Sequence, residues 1–303
     1  MTDHHIDAKT SPFVAVEGQL ALQLDSCHQH ALTPWAIGQV ASRFGMQPYV
    51  LLSNLDADFA VKLLNRLAQK RNSTDFTVRE LDGVIRAYLS RRYVVVDDRQ
   101  MLDALFSWAG KSGWNLGEVE SMPYRERMLV RAERHPEDSD APILAKAKAE
   151  CFGLVVTNSE VGAAYPAAAP ALVFQDGALC IFSAMAPRAR LRSRDLAKSL
   201  EGMISEAAWR LGSVQYLIDE LSHQRVTRFL LRSVGDVVRR EKLYDVESDI
   251  MAAAHTVAGG GASVLDVVRA IAEQSIGAPL PQRIRIASAA GALATSVGSS
   301  RRR

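Results

Sequence analysis

The sequence predicts an α+β fold: a mixed or antiparallel sheet with flanking helices, followed by a largely α-helical C-terminal part. Three observations carry this expectation. Two apolar runs, at 84–96 and 152–157, each stop abruptly at a polar cluster, Asp97-Asp98 in the first case and Asn158-Ser159-Glu160 in the second. An Asp82-Gly83 pair sits between apolar runs, which is a local hairpin signal. After Arg194 the apolar period becomes helical: Leu196, Leu200, Met203, Ala207, Leu211, Val214, Ile218 and Leu221 step by three and four.

Taken in chain order, residues 1–12 read as a weakly ordered or disordered tail. Thr33-Pro34 opens a helix, with Thr as N-cap and Pro in the first turn, where its missing N–H costs nothing, and Gly45 closes it. A second helix covers about 56–68, with Leu55, Phe59, Leu63 and Leu67 at helical spacing. The hairpin follows. Asp97 or Asp98 then caps a helix, with Gln100 three residues after Asp97 and with Met101, Leu102, Leu105, Phe106 and Ala109 on one side. Strands are expected near 114–119, 126–132, 152–157, 171–174 and 178–182. Val226, Leu230, Val234 and Val237 continue the helical seam, Gly259-Gly260-Gly261 interrupts it, and two helices follow at about 264–275 and 282–294. The expected division is therefore an α+β domain at 13–185, a helical domain at 186–300 and a basic tail at 301–303.

Composition sets outer bounds. A 303-residue chain with 48% hydrophobic residues is long enough to bury a sizeable core. No apolar run approaches the ~18–20 residues that span a bilayer, and the polar start Met1-Thr2-Asp3-His4-His5 shows no secretory signal. Three cysteines, Cys27, Cys151 and Cys180, fit a reducing cytoplasm better than a disulfide framework. A net charge of +2 describes no generally basic coat, yet arginine is concentrated after position 185.

Four segments together resemble a family of phage- and plasmid-encoded proteins known as domain of unknown function 932. They are Arg86-Ala87-Tyr88-Leu89-Ser90-Arg91-Arg92-Tyr93, Asn158-Ser159-Glu160-Val161-Gly162, Ser263-Val264-Leu265-Asp266-Val267-Val268-Arg269-Ala270 and Ala289-Ala290-Gly291. The resemblance runs from about Trp35 to Gly291 and implies a mobile-element setting. It supplies no catalytic residues. The family commonly carries Cys-x-Asn-Gly where this chain has Phe174-Gln175-Asp176-Gly177, so the turn residues are kept and the thiol is not.

Candidate sites divide into acidic, thiol-imidazole and basic. Asn158, Ser159, Glu160 and Gly162 form the family motif: a Glu and a Ser after a buried strand can bind a metal or phosphate, or all four can shape and cap a turn. Asp97 and Asp98 with Glu160 would give Mg²⁺ three carboxylates, or the aspartates simply cap a helix. Cys27-His28-Gln29-His30 offers soft ligands without the second pair that a structural zinc site uses. Neither a phosphate-binding Gly-x-x-x-x-Gly-Lys loop nor a Gly-x-Ser-x-Gly elbow is present.

The basic features are stronger. Arg188, Arg190, Arg192 and Arg194 alternate, so an extended chain would carry their guanidiniums on one side about 7 Å apart. Arg225, Arg228, Arg232 and Arg239 follow at intervals of three, four and seven, a stripe opposite Val226, Leu230, Val234 and Val237. Arg86, Arg91 and Arg92 flank the hairpin with Tyr88 and Tyr93 interleaved, the pairing of cation and aromatic that holds phosphates while stacking bases. The alternative is a solvated or subunit-contacting face. The expected function is a non-enzymatic nucleic-acid-binding protein of a mobile element, favouring single-stranded DNA in replication or recombination, without cofactor and with homo-oligomerisation through the helical part. A Mg²⁺-dependent nucleic-acid enzyme using Asp97, Asp98 and Glu160 is one alternative, and an interaction or counter-defence factor is the other.

Overall fold

A computed structural model describes the chain except for residues 26–27, 49, 51–54, 72–74, 122–126, 135, 138–139, 164, 188–194 and 300–303, and the side chains of residues 118 and 299. The fold is α+β, with two sheets, flanking helices and a helical C-terminal part. Two compact units are formed: residues 1–95 with 160–163, and 96–159 with the rest of the described chain.

The first unit is a six-stranded mixed sheet in the order β1-β5-β6-β4-β3-β2. Its strands are β1 (Thr2–Asp7), β2 (Phe13–Val16), β3 (Gln19–Gln23), β4 (Gln29–Leu32), β5 (Asp75–Leu81) and β6 (Val84–Ser90), with helices α1 (Pro34–Arg43) and α2 (Ala57–Lys70) between β4 and β5. Only β4 and β6 pair in parallel among the named strands of this sheet. The Thr33 hydroxyl caps α1 by accepting from the Ala36 N–H at 3.2 Å. Asp82 and Gly83, at φ 52° and 79°, make the tight turn between β5 and β6. α2 begins at the Asp56 cap but buries Ala60, Leu64 and Ala68, leaving Phe59 exposed. The inward stripe is thus shifted by one residue from Phe59-Leu63-Leu67. Small alanines let α2 lie close to the sheet, where Phe13, Leu22, Phe76 and Tyr88 complete the core.

The expected disordered tail is corrected: β1 pairs antiparallel with β5 from Thr2↔Glu80 to Asp7↔Asp75. Only Ile6 of the strand is buried, so hydrophobic pattern does not announce it. Backbone pairing holds it, together with a 2.7 Å ion pair from the buried Arg79 to Asp3.

The second unit contains the antiparallel sheet β11-β10-β9-β8-β7, made of β7 (Asn115–Ser121), β8 (Met128–Glu133), β9 (Ala149–Asn158), β10 (Ala167–Phe174) and β11 (Leu179–Ile181). Its helices are α3 (Asp98–Ser112), α4 (Ala141–Ala147), α5 (Leu196–Trp209), α6 (Leu211–His223), α7 (Arg228–Arg240), α8 (Glu247–Ala258), α9 (Val264–Glu273) and α10 (Leu280–Ser299). The helical seam from Leu196 to Leu221 is carried by two helices that meet at Arg210. Alternation along β9 serves two cores: Leu154 and Val156 pack with α3 and α5, while Cys151 and Val155 pack with Ala287 and Ile284 of α10.

The helical segment is accordingly no separate core. Leu172, Phe174 and Phe182 join one apolar cluster with residues of α6 to α10, so the boundary placed at 186 does not coincide with the compact units. The change of period marks a change of secondary structure, not a change of core. Gly291 has a packing role: α10 runs so close to β11 that any Cβ there would collide with the Ile181 carbonyl. Among the described residues no helix is long and apolar enough to cross a membrane.

Candidate nucleic-acid interface

Asp97 and Asp98 hold the start of α3. Asp97 is the N-cap of α3, in a capping box with Gln100, whose side chain accepts from the Asp97 N–H at 3.0 Å. Asp98 is buried, and its Oδ1 accepts from Asn158 Nδ2 at 2.8 Å; the same amide donates to the Val96 carbonyl at 2.9 Å. The end of β9 thereby fixes the start of α3. Asp97 and Asp98 lie in the second compact unit and Glu160 in the first. Among the described residues no three His, Cys, Asp or Glu side chains gather as a metal site.

The rest of the 158–162 segment acts mainly through its backbone. The Glu160 carbonyl accepts from buried Arg79 at 2.7 Å. The Val161 carbonyl accepts from Trp35 Nε1 at 3.0 Å and from Gln39 Nε2 at 2.7 Å, and Gln39 Oε1 accepts in turn from the Tyr88 N–H at 2.7 Å. Gln39 of α1 therefore ties β6 to residues 160–163. Gly162 has φ 70°, and a Cβ there would stand 2.6 Å from Leu89 Cδ2, so the position requires glycine on two grounds. Ser159 and Glu160 are buried. The motif is built as a clamp.

The hairpin residues are corrected in part. Arg86 and Tyr88 are 3% and 0% exposed, so neither is presented to a ligand. The Tyr88 ring lies 4.6 Å from that of Phe76 and 6.1 Å from that of Phe13, inside the core. Burial pushes its hydroxyl far above the usual tyrosine range. Tyr93 is half-buried beside Leu89 and Val161. β6 is a central strand covered on both faces, so its arginine and tyrosine are enclosed where the interleaving suggested display. Arg91 and Arg92 are exposed, with Arg91 paired to Asp75 at 3.1 Å. Arg188, Arg190, Arg192 and Arg194 lie outside the described residues, as do Cys27 and the basic tail. His28 pairs instead with Asp25 at 2.9 Å.

The second arginine stripe is where the sequence placed it. Leu230, Val234, Val237 and Val238 are the buried face of α7. Arg228, Arg232 and Arg239 fall within about 40° of one another on a 100°-per-residue wheel, on the opposite side, and all three are exposed. Arg225 is exposed just before the helix. Arg239 is paired with Asp236 at 2.7 Å; Arg228 and Arg232 have no carboxylate partner among the described residues. The three line a groove of about 810 Å³ between α7 and α8, together with the carboxylates of Asp236 and Glu247 and with Met251 and His255.

The N-terminus of α7 carries a cation. Its first turn holds no acid and begins with Arg228, although the Thr227 hydroxyl caps it from 3.3 Å. A cation at the positive end of a helix costs about 0.3–1 kcal/mol. α2, α3, α8 and α9 each carry an acid in that turn, whereas α1, α4, α5, α6 and α10, like α7, carry none. The field at this end of α7 therefore favours an anion twice over, through arginine and through free backbone N–H groups. Sequence reasoning missed Phe229, which is 72% exposed between these arginines. Its signal was available: one residue before Leu230, it stands well off the apolar stripe.

Cys151 and Cys180 are free, buried thiols. Burial pushes the first up to about 12, with Glu133 and Glu150 adding to the effect, and the second higher still. Compared with known proteins, the chain matches no family model, no curated protein and no solved structure.

Proposed function

We propose that the protein is a non-enzymatic nucleic-acid-binding protein of a mobile element, and that α7 with the residues just before it holds the phosphodiester backbone. The observation that carries this reading is the exposed stripe of Arg225, Arg228 and Arg232, which form no ion pair among the described residues and are set around the positive end of a helix. Residues 225–240 contain five arginines against one aspartate, a local excess that the net charge of +2 conceals. Arginine at this spacing suits phosphate, because its fork donates in pairs and stays charged at any working pH. The mobile-element setting rests on the resemblance of the four landmark segments. The direct test is fluorescence anisotropy of a labelled oligonucleotide at low salt, with and without Mg²⁺. Binding that is indifferent to Mg²⁺ supports the reading. Cleavage of the oligonucleotide in Mg²⁺ would replace it with the enzyme alternative.

Self-association is proposed on a separate observation. Trp209 and Tyr216 are 81% and 62% exposed at the end of α5 and on α6. Large exposed aromatics of this kind are enriched in contacts between chains. Light scattering of the protein and of Trp209→Ser tests it: a larger species that the variant loses supports the contact, and a monomer in both removes it.

A further inference from the structure

We propose that the side of α7 facing α9 and α10 is a nucleobase pocket, and that the protein therefore prefers single strands to duplexes. This rests on the reading of α7 as the nucleic-acid interface and adds to it which form of nucleic acid is taken.

α7 separates two depressions. Towards α8 lies the arginine groove. On the other side is a pocket of about 340 Å³, lined among others by Gln224, Thr227, Phe229, Leu230, Val264 and Val297. Its Leu230 and Val264 are buried, and Phe229 stands exposed within its lining. Arg225 also lines it, so a cation is present where a phosphate would follow a base. Apolar floor, one free ring and a nearby guanidinium are what a planar heteroaromatic group attached to a phosphate requires.

Gln224 adds a polar group. Its side chain is largely buried and its Nε2 donates to Glu220 Oε1 at 3.2 Å. Its Oε1 has no hydrogen bond among the described residues, so an acceptor for the amino or imino edge of a base remains within the pocket lining. In a duplex that edge is paired and both faces of the base are stacked. A duplex can offer α7 its phosphates, whereas only an unpaired base can enter beside Phe229.

The experiment compares a labelled oligo(dT) strand with a labelled hairpin duplex by anisotropy at one salt concentration. The proteins are the wild type, Phe229→Ala, and the double variant Arg228→Ala/Arg232→Ala. The wild type should bind the strand more tightly than the duplex. Phe229→Ala should lose about 5- to 100-fold on the strand, the size of one lost stacking contact, and little on the duplex. The double variant should lose on both. The exposed position of Phe229 makes its removal harmless to folding, which an unchanged melting curve checks. A Phe229→Ala protein that binds both probes as the wild type does, or weakens on both alike, overturns the pocket and leaves the interface standing. A wild type that binds neither probe overturns both.

Discussion

Asn158 Nδ2 donates at once to the Asp98 carboxylate, 2.8 Å away, and to the Val96 carbonyl, 2.9 Å away. One amide thus joins the last residue of β9 to the first turn of α3, and it occupies the carboxylate that a metal reading needs. Removing the two groups should have unequal costs. Asp97→Ala loses a cap and should cost about 1 kcal/mol in urea unfolding. Asn158→Leu removes both of these hydrogen bonds and should cost more, about 2–6 kcal/mol at about 1–3 for each buried bond broken. Millimolar Mg²⁺ should leave both midpoints unmoved. A wild-type midpoint that rises with Mg²⁺, and no longer does so in Asp97→Ala, would restore the metal site.

Gly162 is required by conformation and by space. At φ 70° an alanine is strained, and its Cβ would press on Leu89 Cδ2 from 2.6 Å. Gly162→Ala should cost more than about 1 kcal/mol, beyond the ordinary effect of a glycine-to-alanine change at a compatible site. Gly177, at φ 83° but with nothing near its Cβ, supplies the control: Gly177→Ala is strained without a collision and should cost less in the same assay.

Asp176 gives the fold a small acid sensitivity. Burial alone would push its carboxyl up, but the Ala178 N–H at 3.0 Å and the Arg269 guanidinium at 3.4 Å outweigh this and hold it below the usual range. A depressed folded value means stability that is present above the unfolded carboxylate pKa of about 3.9 and is lost as pH falls through the lower folded value. Wild type should therefore lose stability more steeply than Asp176→Asn on the acid side of about pH 4, as read by urea midpoints across that range. Parallel acid limbs would contradict the pairing.

What the sequence revealed depended on whether the signal was local. Caps at Thr33 and Asp97, the Asp82-Gly83 turn and the apolar face of α7 were all legible, because each is decided within a few residues. β1 was not, since one buried Ile6 and a ladder with β5 seventy residues away leave no periodic trace. Arg86 and Tyr88 misled for a related reason. Polar and aromatic residues in a strand look displayed until the sheet order puts β6 between β5 and β4 and covers both faces. Arg79, whose guanidinium binds the Glu160 carbonyl, gave no warning of its burial either. Arg225, Arg228 and Arg232 were legible because opposition to an apolar stripe is a property of one helix alone.

The central claim is that these arginines neutralise phosphates, and the salt dependence of binding tests it most directly. Each contact to a single strand contributes a slope of about −0.7 in log affinity against log salt. The triple variant Arg225→Ala/Arg228→Ala/Arg232→Ala should therefore bind an oligo(dT) strand with a slope flatter than wild type by about 2 units. A variant whose slope matches that of wild type would show that the phosphates are held elsewhere, and would contradict the account.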